Sequence, residues 1–233
     1  MKIHTIASGS KGNCYVITDG SSSLMIECGI PFSRIRKECP VPLHVLDCCL
    51  ISHEHKDHSK STKELLKNAV TCCMSQGTIN ALGVQDNPYI VPLELDCVYR
   101  SDSFGVLPIQ AFHDAAEPLA FLIKTPSGKM VLFATDTCYL YNRITNITHL
   151  MLECNYDPDT LDANVEKGLV HVSLKNLIIK THFGLENVLA LLEAIGCNVL
   201  EEIHIIHISD VNADRDLIER EIRSVTGVPV YVE

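Results

Sequence analysis

The sequence predicts an α/β (α+β) protein in which two β-sheets pack together with helices outside. Three observations lead there. Strand-like segments gather in two stretches, each closed by helices, and such sheets need both faces covered. The 233 residues are 46% hydrophobic and 21% charged, which is ordinary for a globular enzyme and incompatible with a disordered chain. No internal repeat, low-complexity tract or linker interrupts the pattern, so residues 1–233 are expected to form one domain.

The opening reads as a meander. Ile3 to Ile6, Cys14 to Thr18 and Leu24 to Glu27 are apolar or β-rich, punctuated by Ser8-Gly9-Ser10 and Asp19-Gly20. Pro31 starts a helix that ends near Cys39-Pro40. Leu46 to Ser52 is a buried strand, Ser59 to Ala69 has helical periodicity, and Val70 to Met74 is a strand before a short helix, Ser75 to Leu82. Val106 to Phe112, Leu119 to Lys124, Met130 to Thr135 and His149 to Glu153 are strands again. Glu186 to Ile195 is a helix ending at Gly196, Ile203 to Ile208 a strand, Asp214 to Ser224 a helix, and Val228 to Val232 the last strand.

Composition narrows the function. The eleven cysteines are odd in number, form no C-x-x-C pair, and include Cys48–Cys49 and Cys72–Cys73 inside apolar runs, where thiols act as small buried hydrophobes. A reducing cytoplasm is the expected setting. Neither a basic start leading into an apolar run nor a bilayer-length apolar stretch is visible, so no secretion signal and no membrane partner are expected. The formal charge of −10 argues against a broad basic surface for a long duplex. A nuclease stays open, because two divalent cations would bring about four positive charges into the site.

His53-Glu54-His55-Lys56-Asp57-His58 is the most informative stretch. It follows a buried strand, so it lies on a loop where side chains can converge. Three imidazoles and the Asp57 carboxylate in six residues gain little as packed core, and they are the ligand types of catalytic zinc, manganese or iron sites. The competing reading is a solvated loop with incidental histidines.

H-x-H-x-D-H after an apolar strand resembles the signature of the metallo-β-lactamase fold superfamily. The resemblance implies a four-layer αββα sandwich, two mixed β-sheets flanked by helices. It implies two divalent ions, Zn2+ first and Mn2+ second, with His53 and His55 on one and Asp57 and His58 on the other. Downstream, His113 would complete the first metal's three histidines, Asp136 would bridge the two ions, and His207 would complete the second site. Each ends an apolar strand. Superfamily enzymes that open β-lactams generally carry cysteine where Asp136 falls, and glyoxalase-type thioesterases carry glycines and a Pro-Gly-His segment that this chain lacks. The resemblance therefore favours phosphodiester cleavage.

Ser8-Gly9-Ser10-Lys11-Gly12-Asn13, His113-Asp114-Ala115-Ala116-Glu117-Pro118, Thr135-Asp136-Thr137 and Glu153-Cys154-Asn155 together look like the YycJ-like branch, related to tRNase Z-type nucleases. Members of that branch are described as DNA exonucleases. Thr181-His182-Phe183 resembles a Gly-His-Val-Ser-Asn segment of the branch, which makes His182 the expected general acid; capping of the following helix is the alternative. Ser10, Asn13 and Asn212 are expected on the substrate side. The chain departs from the pattern at three places. Glu27 stands where aspartate usually steadies the histidine loop from behind the ligands. Gly184-Leu185 replaces Ser-Asn after His182, and a pair of asparagines after His207 is reduced to Asn212-Ala213.

The implied function is a metal-dependent phosphodiester hydrolase acting on nucleic acid through a metal-activated hydroxide, with Asp57 orienting the nucleophile and His182 protonating the leaving oxygen. The acidic charge and the altered segments favour an alternative, a phosphodiesterase of small nucleotides such as cyclic mononucleotides. A thioester or ester hydrolase and a non-catalytic metal-binding module stand behind both. A homodimer is left open. His4, His44, His149, His171 and His204 lack a partner motif and are read as structural.

Overall fold

In the computed structural model, which describes residues 1–140 and 144–233, the chain divides into two compact units. The first comprises Met1–Gln110 and Ala115–Lys129, the second Ala111–Asp114 and Met130–Glu233.

The first unit starts with β1 (Lys2–Ala7), β2 (Cys14–Asp19) and β3 (Ser22–Ile26), an antiparallel meander joined through short polar turns. Helix α1 (Phe32–Glu38) carries the chain to β4 (Leu46–Leu50), which pairs parallel with β3. Helices α2 (Lys56–Ser59) and α3 (Thr62–Lys67) lead to β5 (Cys72–Ser75), and α4 (Gln76–Leu82) to β6 (Ile90–Leu93), both strands continuing the parallel half. These six strands lie in chain order in one sheet. Its helix-covered face buries Val16, Met25, Ile35, Cys49, Ile51, Leu65, Met74 and Ile79 in one cluster. Cys28 and Cys72 belong to the same cluster, and every cysteine is a free thiol. Strands β7 (Tyr99–Arg100), β8 (Gly105–Gln110) and β9 (Leu119–Lys124) form a second antiparallel meander.

The second unit is built on four parallel strands: β10 (Met130–Ala134), β11 (His149–Glu153), β12 (Glu202–Ile206) and β13 (Val230–Val232). Between β11 and β12 run α5 (Pro158–Glu166), α6 (Val172–Thr181) and α7 (Leu185–Ile195), and α8 (Arg215–Thr226) precedes β13. All five residues of β11 are buried, as expected for a parallel strand covered on both faces. Asp214 caps α8 by accepting from the backbone N–H of Asp216 and Leu217.

The expected strands and helices form within two residues of their anticipated ends, with one difference. The helix read over 59–69 is interrupted, because the Ser61 N–H bonds the Cys28 carbonyl at 2.9 Å instead of continuing the helical ladder. Strands β6 and β7 and helices α5 and α6 escaped the pattern reading. Among the described residues, no helix is long and apolar enough to cross a membrane.

Candidate metal centre

In the first unit, β4 delivers His53–His58 just past its C-terminal end. The loop is fixed from behind by backbone hydrogen bonds: Asn13 N–H to Asp57 O at 2.7 Å, Cys28 N–H to His58 O at 2.8 Å, and Gly29 N–H to Asn13 O at 2.8 Å. Gly29 is required by contact. A Cβ there would lie 1.6 Å from the Asp57 carbonyl oxygen. The three imidazoles gather, with ring centroids 4.6 Å apart for His53 and His55 and 4.3 Å for His53 and His58. The Asp57 carboxylate lies 3.3 Å from His58 Nε2.

Glu27, fully buried just past the end of β3, sits behind this loop. Its carboxylate accepts from the Ser52 N–H at 3.2 Å and lies 3.6 Å from His58 Nδ1. Burial raises its pKa, and His58 and Ser52 oppose that rise only in part. Ser52 Oγ pairs with His53 Nδ1 at 2.9 Å. Of the residues expected on the substrate side, Ser10 is exposed and Asn13 fully buried. The Asn13 amide accepts from Gly9 N–H and Tyr15 OH and donates to Asp57 O, so its hydrogen bonds brace the loop.

In the second unit, three adjacent parallel strands end together. Asp136 follows β10, Glu153 is the last residue of β11, and His207 follows β12. Carboxyl ends of parallel strands are where α/β sheets place their ligands. Asp136 Oδ1 lies 3.1 Å from His207 Nδ1, and Asp136 Oδ2 lies 3.3 Å from His113 Nε2. His113 Nδ1–H donates to the Thr181 carbonyl at 3.1 Å. His182, directly after α6, lies between: its ring is 5.3 Å from that of His113 and stacks 5.7 Å from that of His207. Ligand-type atoms of Asp136, Glu153, His182 and His207 all lie within 4.8 Å of one another.

Glu153 joins this cluster although its sequence gave it no role. Fully buried, its Oε1 accepts from His182 Nδ1 at 2.5 Å and from His207 Nδ1 at 2.9 Å, and Oε2 accepts from the N–H of Thr137 and Phe183. A carboxylate closing an otherwise apolar buried strand, His149-Leu150-Met151-Leu152-Glu153, was the available signal. Burial pushes the Glu153 carboxyl up, but His182 and the two imidazole hydrogen bonds outweigh it and hold the pKa below the usual carboxylate value. Burial would lower His182, yet the charge and hydrogen bond of Glu153 raise it above the ordinary imidazole value. His113 is shifted down, chiefly by burial and against the pull of Asp136.

Backbone strain falls at these positions. Glu27, Asp136 and His207 have φ of 61°, 46° and 51°, a left-handed conformation that non-glycine residues adopt at a cost and that clusters at functional sites. The donors also suit divalent metals. They are imidazole nitrogens and carboxylate oxygens, and His53, His113 and His207 each engage Nδ1 with an oxygen, which orients Nε2 outward as in metal-ligating histidines.

The remaining residues are accounted for locally. Asn212 is buried, and its side-chain oxygen accepts from the Asn164 amide. Gly184 packs on Tyr156, whose ring an added Cβ would meet at 2.5 Å, and Leu185 is buried; an apolar contact therefore stands where the branch has Ser-Asn. His4 bonds Thr18, His149 bonds Thr148, His171 caps α6 through Ser173, and His204 contacts Glu233 and stacks on Tyr231. His44 lies in the short 3₁₀ turn Leu43–Val45.

The model of the β-lactamase superfamily domain matches residues 16–208, which spans both units and most of the chain. The chain belongs to that superfamily. It is similar to exodeoxyribonuclease WalJ of Streptococcus pneumoniae serotype 2 (strain D39 / NCTC 7466), 25% identical over 93% of this chain and 84% of that one. It is also similar to exodeoxyribonuclease YycJ of Bacillus anthracis, 23% identical over 94% of this chain and 87% of that one. Among solved structures, the metallo-β-lactamase fold protein YhfI from Bacillus subtilis matches with a TM-score of 0.77 and 18% identity, over 99% of this chain and 95% of that one. This likeness shows the fold, the sandwich of two mixed β-sheets flanked by helices, and the His/Asp groups described above are a candidate site for divalent metal.

Proposed function

We propose that the chain is a single-domain metallo-hydrolase that cleaves phosphodiester bonds of nucleic acid. The observation that carries this reading is the Asp136–His207–Glu153–His182 cluster, where a buried carboxylate holds a histidine of raised pKa beside ligand-type atoms. Such a histidine is a proton donor placed for a leaving oxygen. The names of the exodeoxyribonuclease relatives point to the same bond.

In this reading His53, His55 and His113 would hold one divalent ion and Asp57, His58 and His207 the other, with Asp136 serving either. Zn2+ suits the donors first and Mn2+ second. Bound metal supplies Lewis acidity toward the phosphate and lowers the pKa of a water. The chain does the rest. Asp57 orients the attacking water, the His182 imidazolium gives its Nε2 proton to the departing alkoxide, and Glu153 keeps the other ring proton on Nδ1 and favours the charged form. Glu27 and Asn13 position the histidine loop, Asn212 positions the segment after His207, and exposed Ser10 is the side chain left to meet substrate.

The test is hydrolysis of bis(p-nitrophenyl) phosphate beside labelled DNA, RNA and cyclic mononucleotides, with manganese and zinc supplied separately. Metal-dependent cleavage of oligonucleotides is the expected result. Preference for cyclic mononucleotides would establish the small-nucleotide alternative, which the charge of −10 favours. Cleavage of thioesters alone would refute both.

Glu153→Gln keeps the shape but removes the charge that raises His182. We expect kcat on oligonucleotides to fall by about a hundredfold, within the range assigned to general acid–base groups. The alkaline limb of the pH–rate profile should move to lower pH, because His182 then loses its proton earlier. A profile identical to the parent's would remove Glu153 and His182 from proton transfer.

A further inference from the structure

We propose that Lys56, Lys60, Lys63 and Lys67, along α2 and α3, form the surface on which one nucleic-acid strand lays its phosphate backbone as it enters the site; this rests on the phosphodiesterase reading above. Lys56 and Lys60 are four residues apart along α2 and its end, and Lys63 and Lys67 four apart along α3, so each pair shares a helical turn on either side of the break at Ser61. Burial agrees. Ser61, Thr62, Leu65 and Leu66 face inward, while all four lysines are exposed. Among the described residues, no carboxylate holds any of the four ammonium groups, although the chain is rich in acid. Residues four apart on one helical turn stand about 5–6 Å from each other, which applies within each lysine pair.

The row begins inside the ligand motif. Lys56 lies between His55 and Asp57, and Lys60 two residues after His58. Lys11 is exposed on the loop that Asn13 ties to Asp57. At the far end, Lys63 and Lys67 form one wall of a groove of about 430 Å³ with Val84, Asp86, Asn87 and Pro88 opposite. A single line of cations leading away from the ligand loop matches a single line of phosphates.

Charge distribution removes the objection raised by the net value. In the first unit twelve Lys and Arg stand against twelve Asp and Glu; in the second, seven stand against seventeen. The whole formal charge of −10 therefore belongs to the second unit, and the unit bearing the lysine row is neutral. A polyanion approaching this unit meets no net negative charge.

The experiment compares the full chain with Lys63→Gln/Lys67→Gln, two positions clear of the ligand motif, and with Lys124→Gln/Lys129→Gln as a charge-matched control. Binding of a labelled single-stranded oligonucleotide is followed by anisotropy across salt concentrations, and hydrolysis of the oligonucleotide and of bis(p-nitrophenyl) phosphate is measured in parallel. The Lys63/Lys67 variant should bind about tenfold more weakly, with a salt slope reduced by about 0.7 per lost phosphate contact. Its ratio of oligonucleotide to chromogenic hydrolysis should fall through KM. The control should match the parent. Equal binding and slope in both variants would overturn the row while leaving the hydrolase reading intact. A parent that cleaves the chromogenic ester yet neither binds nor cuts oligonucleotides would overturn the nucleic-acid reading itself. Loss of binding to phosphatidylserine vesicles with oligonucleotide binding intact would replace the strand by a lipid surface.

Discussion

Asp136→Asn is expected to lower hydrolysis of bis(p-nitrophenyl) phosphate by about 10⁴-fold, the lower end of the scale seen when one member of a group that acts as a unit is removed. Asparagine is the informative replacement. Asp136 has a φ of 46°, and asparagine tolerates this left-handed conformation where alanine would add strain. The variant therefore separates loss of an anionic oxygen from loss of backbone geometry. Both carboxylate oxygens face imidazoles, Oδ1 toward His207 and Oδ2 toward His113, and a neutral amide can serve only one side as an acceptor. Circular dichroism should match the parent, so turnover close to the parent's would strike Asp136 from the site.

Gly29→Ala should have the largest effect on stability. A Cβ at 1.6 Å from the Asp57 carbonyl oxygen and 2.6 Å from the His58 nitrogen forces the motif backbone away, since neither atom belongs to a flexible side chain. The hydrogen bonds from Cys28 to His58 and from Asn13 to Asp57 lie on either side of that contact and would lengthen with it. Overpacking of this kind costs about 3 kcal/mol, which corresponds to a fall in Tm of about 6–12 °C for a chain of this size. Metal affinity should drop as well, because His58 and Asp57 move with their backbone. Gly105→Ala is the control: the added Cβ meets only Lys124, at 3.8 Å, and Tm should stay near the parent's. Equal Tm for the two variants would show that the motif backbone yields without cost.

The proposed ligand motif stands out in the sequence because its chemistry is local. His53, His55, Asp57 and His58 fall within six residues after an apolar strand, and no structural use of three imidazoles competes with metal binding there. Asp136 and His207 were legible for a related reason, since a polar residue at the end of an apolar run marks where a strand leaves the core. Glu153 had the same mark but no visible purpose. Its role depends on His182 and His207, which are 29 and 54 residues away in sequence; the first reaches it after α5 and α6, the second only after α7 has returned the chain to the sheet.

Asn13 and Asn212 show the opposite difficulty. A sequence cannot distinguish an amide that faces substrate from one bonded to Asp57 O or to Asn164, because both uses call for the same residue. Among the secondary elements, α5 carried a readable start, Asp157 as cap and Pro158 at the first helical position. Helix α6 carries Leu174, Leu177 and Ile178 at helical spacing, a short stripe that the pattern reading passed over, and none of its residues is buried. Strand β6 contains Pro92 and lies at the sheet edge, where weak strand signals are the rule.

The central claim is that the proposed histidine and aspartate ligands hold metal for the reaction. The direct measurement is metal content by inductively coupled plasma mass spectrometry, made on the preparation whose bis(p-nitrophenyl) phosphate turnover is recorded, for the parent, His53→Ala and His207→Ala. The account predicts about two ions per parent chain, in keeping with a two-metal hydrolase. It also predicts reduced metal and lost turnover in each variant. Full metal content and parental turnover in either variant would contradict it.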